Sequence, residues 1–172
     1  RGLSQSVIEG FKKSSGDFLL AMDADLQHDE NAVPGMFQLA NSNDLVSGTR
    51  FSAGGSIEGE WPFVRRLMSL GAIFVAKIVL GINISDPMSG FFAMPKSTYK
   101  KVAPYLNPRG FKIFLEILYV LLCLSPSAKI AEKGIHFRKR ETGKSKLGFE
   151  VIANYFYSLI QLRLRKNKIL QK

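Results

Sequence analysis

Cysteine is nearly missing from this chain: Cys123 is the only one in 172 residues. A single thiol excludes an internal disulfide framework and a cysteine-built metal centre, and it leads us to expect a reducing, cytosol-facing compartment. Histidine is almost as scarce. His28 and His136 are the only two, and neither has a Ser or Cys plus an acid beside it, so a histidine base is not indicated. The chain has no initiator Met and no signal-peptide pattern; it opens on Arg1-Gly2-Leu3 and runs at once into a helix-like stretch, from which we expect an N-terminally truncated domain. Long hydrophobic runs are missing as well. The uncharged, apolar-biased stretch 151–162 is 12 residues long, whereas a helical bilayer span needs roughly 20. No repeat or low-complexity segment occurs.

Acidic residues are thinly spread at one end. Residues 133–172 hold 11 basic and 2 acidic side chains, whereas residues 1–132 hold 13 and 12, so the overall charge of +10 belongs almost wholly to the C-terminal part. Such a charged end points to an anionic partner: phosphates, nucleic acid or an acidic lipid surface. The hydrophobic fraction of 46% over this length suffices for one domain with a core.

Local patterns predict an α/β alternation. Val7, Ile8 and Phe11 mark a helix over 3–14 that stops at Gly16. A buried-type strand follows over 17–22, then a helix over 31–40 with Pro34 in its first turn, and a short strand over 44–49. Residues 51–60 read as a Gly- and Ser-rich loop, 62–80 as a long helix, and 91–94 as a strand fed by the loop Asp86-Pro87-Met88-Ser89-Gly90. Helices are expected over 96–105 and 111–124, the second apolar nearly all round and hence buried. A strand over 130–138, a polar loop over 141–146 and an amphipathic helix over 149–165 complete the chain.

The strand over 17–22 ends in Asp23-Ala24-Asp25, with Gln27 next but one. Three hard oxygen donors leaving one strand end suit Mg²⁺ or Mn²⁺, with a diphosphate to complete the shell. The plainer alternative is that the two acids cap the helix beginning near Asn31.

Four motifs occur in an order that resembles one family. They are Asp23-Ala24-Asp25-Leu26-Gln27-His28 after Gly16-Asp17-Phe18, then Val46-Ser47-Gly48-Thr49-Arg50, Asp86-Pro87-Met88-Ser89-Gly90-Phe91, and Gly143-Lys144-Ser145-Lys146-Leu147-Gly148. The chain resembles the dolichol-phosphate mannose synthases of glycosyltransferase family 2. That resemblance implies a GT-A nucleotide-sugar fold, Rossmann-like, with a central, mostly parallel sheet flanked by helices. It also implies a catalytic domain over 1–148 that lacks its N-terminal strands and their base-reading residues, followed by an amphipathic basic helix over 149–172.

Carried over by motif, the resemblance makes Asp23, Asp25 and Gln27 the site for Mn²⁺ or Mg²⁺ and the donor diphosphate. Arg50 becomes the ligand of a lipid phosphate, with Arg65 and Ser69 as companions one helical turn apart. Arg140 and Lys146 reach the donor diphosphate, and Asp86 contacts the sugar or metal region, so that Asp25, Arg50 and Asp86 form the catalytic set. Read without the family, Arg65 is a solvated helix start, the 140–146 run a charged surface, and Asp86 a turn-former before Pro87.

The implied reaction moves mannose from GDP-mannose to dolichyl or another polyprenyl phosphate with inversion, giving a β-linked product. The acceptor is already ionised near neutral pH and needs little general base. A sister activity, glucose or N-acetylglucosamine from a UDP-sugar, is the alternative donor reading. The helix from Phe149, with Val151, Ile152, Tyr155, Phe156, Leu159 and Ile160 followed by Arg163, Arg165, Lys166 and Lys168, has the signature of an interfacial helix on anionic headgroups; packing on the sheet is the other reading. A membrane surface, with a membrane-anchoring segment or subunit, is therefore the expected setting, at the cytosolic face of a plasma membrane or endoplasmic reticulum. A nucleic-acid module is disfavoured because the strand-end acids repel a phosphate backbone. A catalytically inert scaffold is the third class weighed.

Overall fold

The computed structural model describes residues 2–59, 63–107, 112–139 and 149–171, with the backbone alone for Arg65 and residues 149–152. Helix α1 (Leu3–Lys13) buries Ser4, Ile8 and Phe11 at i, i+4 and i+7, and Lys12 and Lys13 complement the dipole at its last turn. Strand β1 (Phe18–Ala21) follows. A 3-10 turn, Glu30–Ala32, leads into α2 (Val33–Ala40), which buries Met36 and Ala40. Then come β2 (Leu45–Thr49), β3 (Ser56–Ile57), α3 (Phe63–Leu80) and β4 (Phe92–Pro95). The remainder is α4 (Lys96–Val102), α5 (Ile113–Leu124), β5 (Ile130–Gly134), β6 (His136–Phe137), α6 (Phe149–Leu164) and α7 (Lys166–Leu170).

The main sheet has the order β1-β4-β2-β5. It is mixed rather than mostly parallel in its pairings: β4 runs antiparallel to both β1 and β2, while β2 and β5 are parallel. Strands β1, β2 and β5 nonetheless share one direction, and only β4 is inverted. The register pairs Phe92 with both Ala21 and Ser47, and Gly134 with Thr49. The carboxyl ends of β1, β2 and β5 and the start of β4 therefore meet at one edge of the sheet. That edge carries the site.

Strand periodicity divides the core into two layers. Leu19, Leu45, Phe92 and Met94 face a large cluster shared with α1, α4, α5, α6 and α7, whereas Val46, Phe91 and Ala93 face Met36 and Ala40 of α2. Helix α5 is buried from Ile113 to Leu121, as its apolar character demands. Its one acid, Glu116, receives Arg165 Nη1 at 2.6 Å and the Asn107 N–H at 2.8 Å, so the buried carboxylate is compensated. Tyr155, Leu159 and Leu162 of α6 enter the same cluster.

The predicted strand over 130–138 proves to be two. Ile135 donates its N–H to Thr49 O at 3.0 Å but accepts from Ser56 N at 3.0 Å, so the chain leaves β2 and joins β3, where His136 and Phe137 pair in parallel. Gly134 permits the transfer: a Cβ there would lie 2.4 Å from Ala53 O, a contact only glycine avoids. The 51–60 segment accordingly contains a short strand inside the expected loop.

Candidate active site

Beyond β1 the chain turns sharply. Asp25 Oδ1 accepts the Gln27 N–H at 3.2 Å, and Leu26 between them adopts φ +62° with its side chain exposed. A left-handed branched residue is a strained choice of the kind found at functional sites. Gln27 is buried and clamped to the chain after β6: its Nε2 donates to Arg138 O at 3.1 Å, and Arg138 N–H donates to Gln27 O at 2.8 Å. The amide nitrogen being so engaged, Oε1 is the atom of Gln27 with ligand character.

His28 closes the turn. Its Nδ1 accepts the Asp23 N–H at 3.3 Å, which places the ring proton on Nε2. The ring stacks on Phe91 at 5.2 Å and lies 5.4 Å from Phe137. Burial pushes its pKa down, against the upward pull of Asp23 and Asp25, so the histidine serves as a neutral strut rather than a base. Asp23 in turn lies against the Ser89-Gly90 turn: a Cβ on Gly90 would come within 2.7 Å of Asp23 Oδ2. Glycine at this position makes room for the carboxylate.

The donor set suits a hard cation. Asp23 and Asp25 are half-buried carboxylates beside one amide oxygen, and among the described residues no cluster of three or more His, Cys, Asp or Glu occurs. Mg²⁺ or Mn²⁺ is commonly held by one or two carboxylates together with substrate phosphates. The alternative role for the pair falls away, because the turn before α2 is capped by Asp29, whose side chain accepts from Asn31 N.

Arg50 and Asp86 form the second half. Arg50 Nε meets Asp86 Oδ2 at 2.8 Å and Nη2 meets Oδ1 at 3.0 Å, a fork-to-fork pair. Asp86 is 1% exposed. The guanidinium carbon lies 5.1 Å from the ring centres of both Phe51 and Phe137, within cation–π reach. Phe137 therefore touches both His28 and Arg50, and joins the acidic turn to the cationic one. Asp86 also keeps its turn role, accepting the Ser89 N–H on its backbone oxygen.

A cleft of about 200 Å³ opens beside Asp23, lined in part by Met22, Pro87, Met88 and Lys112. Lys112 donates to Asn154 O and Ser158 Oγ, both at 2.9 Å, and lies over the Tyr155 ring. Burial draws its pKa down to about 8.

The predicted site residues are distributed as follows. Asp23, Asp25, Gln27, Arg50 and Asp86 gather at the one sheet edge. Ser69 is half-buried on α3, a helix that packs on α6 through the Tyr155 hydroxyl donating to Ala72 O at 2.7 Å. The side chain of Arg65, and Arg140 and Lys146 altogether, lie outside the described residues. Phe137 and Arg138 were not picked out from sequence, and Ser89 was noted only as part of its motif; an aromatic or a backbone carbonyl reached across the fold leaves no local signal.

Comparison with known proteins follows the same lines. Glucosyl-3-phosphoglycerate synthase from Mycobacterium tuberculosis, solved with uridine diphosphate, superposes with a TM-score of 0.66 at 16% identity, covering 96% of this chain and 55% of that one. The same enzyme solved with Mn²⁺, uridine diphosphate and glucosyl-3-phosphoglycerate gives 0.64 at 15%, with 96% and 55% covered. At such identity the likeness is one of fold, and together with the acidic strand end it defines a GT-A domain. A sequence model described as Glycosyl transferase family 2 matches residues 1–103. The chain belongs to that family. It is similar to proteins named dolichol-phosphate mannosyltransferase: one from Pyrococcus furiosus at 42% identity, covering 94% of this chain and 45% of the relative, and one from Saccharomyces cerevisiae at 39%, covering 96% and 62%. A third, from Mycosarcoma maydis, is 39% identical over 94% of this chain and 54% of its own length. The chain thus spans about half the length of the relatives it matches.

Proposed function

We propose that the protein transfers mannose from GDP-mannose to dolichyl or another polyprenyl phosphate at a membrane surface. The observation that carries this reading is the meeting of an acidic turn, Asp23 to Gln27, with the Arg50–Asp86 pair at one sheet edge, bridged by Phe137. The first suits a cation and a diphosphate; the second presents an oriented arginine to an anionic acceptor.

Asp23, Asp25 and Gln27 would hold Mn²⁺ or Mg²⁺, which when bound neutralises charge on a nucleotide-diphosphate leaving group. Arg50 binds and aligns the acceptor phosphate, with Ser69 and Arg65 as companions. Asp86 holds Arg50 in place, and His28 keeps the acidic turn in shape. No general base is required, because a phosphate monoester is ionised near neutral pH. Positioning and charge neutralisation carry the rate, through a single inverting displacement. Arg140 and Lys146 close over the donor diphosphate and exclude water.

Support for the membrane setting comes from α3 and α6. Phe63, Leu67, Phe74 and Ile78 of α3 form an exposed stripe, Phe156, Ile160 and Leu164 of α6 are exposed as well, and Arg163, Lys166 and Lys168 are exposed near the end of the chain, whereas Arg165 turns inward to Glu116. No helix among the described residues is long and apolar enough to cross a membrane, so these faces are read as lying on the bilayer at its cytosolic side, with the 149–172 segment as an interfacial unit aided by a membrane-anchoring segment or subunit.

The test offers polyprenyl phosphate with labelled GDP-mannose, UDP-glucose or UDP-N-acetylglucosamine in parallel. Label passing into lipid from GDP-mannose alone, abolished by EDTA and by Asp25→Ala, is the expected result. Transfer from a UDP-sugar moves the protein to the sister activity, and a folded protein inert with every donor sinks the lipid-phosphate assignment.

A further inference from the structure

Thr49 and Ser85, the residues immediately before Arg50 and Asp86, are joined by their hydroxyls at 2.6 Å. Ser85 is itself held by Glu132 of β5: its Oγ and its backbone N–H lie 2.5 and 2.8 Å from Glu132 Oε1. Thr49 Oγ1 also accepts the Phe51 N–H at 3.2 Å.

Proton accounting gives this chain one direction. A carboxylate only accepts, so the Ser85 hydroxyl proton points to Glu132; Ser85 Oγ then accepts from Thr49, whose oxygen accepts from Phe51 N–H. Donors aligned head to tail and ending on a charge reinforce one another. At its other end the same loop is pinned by Ser89 Oγ donating to Gly48 O at 2.5 Å. The loop carrying Asp86 is thereby fastened to β2 on both sides, and Glu132 is the charged anchor of one side.

We infer that Glu132 is a positioning residue: acting through Ser85 and Thr49, it holds Asp86 and Arg50 in the register that their two-point contact requires. Glu132 is solvent-exposed and belongs to none of the motifs of the acidic or arginine turns. Its effect on catalysis rests on reading Arg50 as the acceptor-phosphate ligand, but its effect on Arg50 itself does not.

Two measurements on the full chain keep these apart. The first is hydrogen exchange of the Arg50 Nε–H, followed by ¹⁵N NMR without any substrate. Glu132→Ala is expected to raise the exchange rate by about fivefold or more, the equivalent of one hydrogen bond lost, and Glu132→Gln, which keeps an acceptor for Ser85, is expected to restore it. The second is the KM for polyprenyl phosphate, expected to rise by a similar factor in Glu132→Ala with kcat nearly unchanged, and to return in Glu132→Gln. Should Glu132→Ala not fold, Ser85→Ala removes the hydroxyl link alone and carries the same expectations. Unchanged Arg50 exchange in the folded variants overturns the inference. Raised exchange in a protein that transfers no sugar to lipid phosphate supports it while removing the functional reading above.

Discussion

Arg50 and Asp86, 36 positions apart in the chain, meet edge to edge through two parallel hydrogen bonds of 2.8 and 3.0 Å. With Asp86 1% and Arg50 16% exposed, the pair is largely desolvated. Removing one partner of such a pair leaves a buried charge uncompensated, at about 3–5 kcal/mol. Asp86→Ala is therefore expected to lower unfolding stability by that order in urea denaturation, whereas Asp86→Asn, which keeps shape and one acceptor, is expected to lose markedly less.

Gly90 leaves space for a carboxylate. A methyl group there would fall 2.7 Å from Asp23 Oδ2 and 3.2 Å from its Cγ, so Gly90→Ala has to displace the Asp23 side chain. The expected outcome is a protein that folds with nearly unchanged circular dichroism and binds Mn²⁺ about tenfold more weakly, read by calorimetry. Unaltered affinity would show that Asp23 is not a ligand.

Lys112 connects the start of α5 to α6 and titrates early, near pH 8 against an ordinary 10.5, because burial disfavours its charge. The unfolded chain binds the extra proton between those values, so stability rises with pH across that window, and below pH 8 the burial penalty is fully present. Comparing wild type with Lys112→Met by thermal unfolding from pH 7.5 to 10.5, the wild type should gain relative to the variant as pH rises; a constant difference would contradict the depressed pKa.

The apolar stripe of α3 lends itself to a separate test. Phe63 and Phe74 are 78% and 63% exposed, so changing both to Ser removes little core packing. Tm is expected to stay within a few degrees, while co-sedimentation with anionic lipid vesicles falls severalfold. Full vesicle binding by the double variant would point away from α3 as the membrane face.

Much of the fold was legible in the chain itself. Ile8 and Phe11 on α1, Met36 and Ala40 on α2, and Tyr155, Leu159 and Leu162 on α6 bury at the helical spacing the sequence shows. The apolar run of β1 ending in two acids was equally plain, but β1 is an edge strand of the described sheet that buries Leu19 and Ala21 and leaves Leu20 exposed, not the fully buried strand its composition suggests. Less plain was the place of β4. An apolar run such as 91–94 carries no mark of its direction, and only pairing with Ala21 and Ser47 sets β4 antiparallel. The division at Ile135 was hidden for a related reason: only Gly134 interrupts the run 130–138, and the change of partner strand depends on the backbone that passes over that glycine.

The candidate site divides along the same line. Asp23, Asp25 and Gln27 are close in sequence, so residue type and spacing alone mark the turn as a candidate for a hard cation. The neutral state of His28, the junction at Phe137 and the anchoring of Ser85 by Glu132 join residues that are remote in sequence. Sequence by itself determined the elements and the acidic strand end, because periodicity and residue chemistry are local. Tertiary structure decided which charges meet: one inverted strand brings three carboxyl strand ends to a single edge, and burial there makes arginine and aspartate pair.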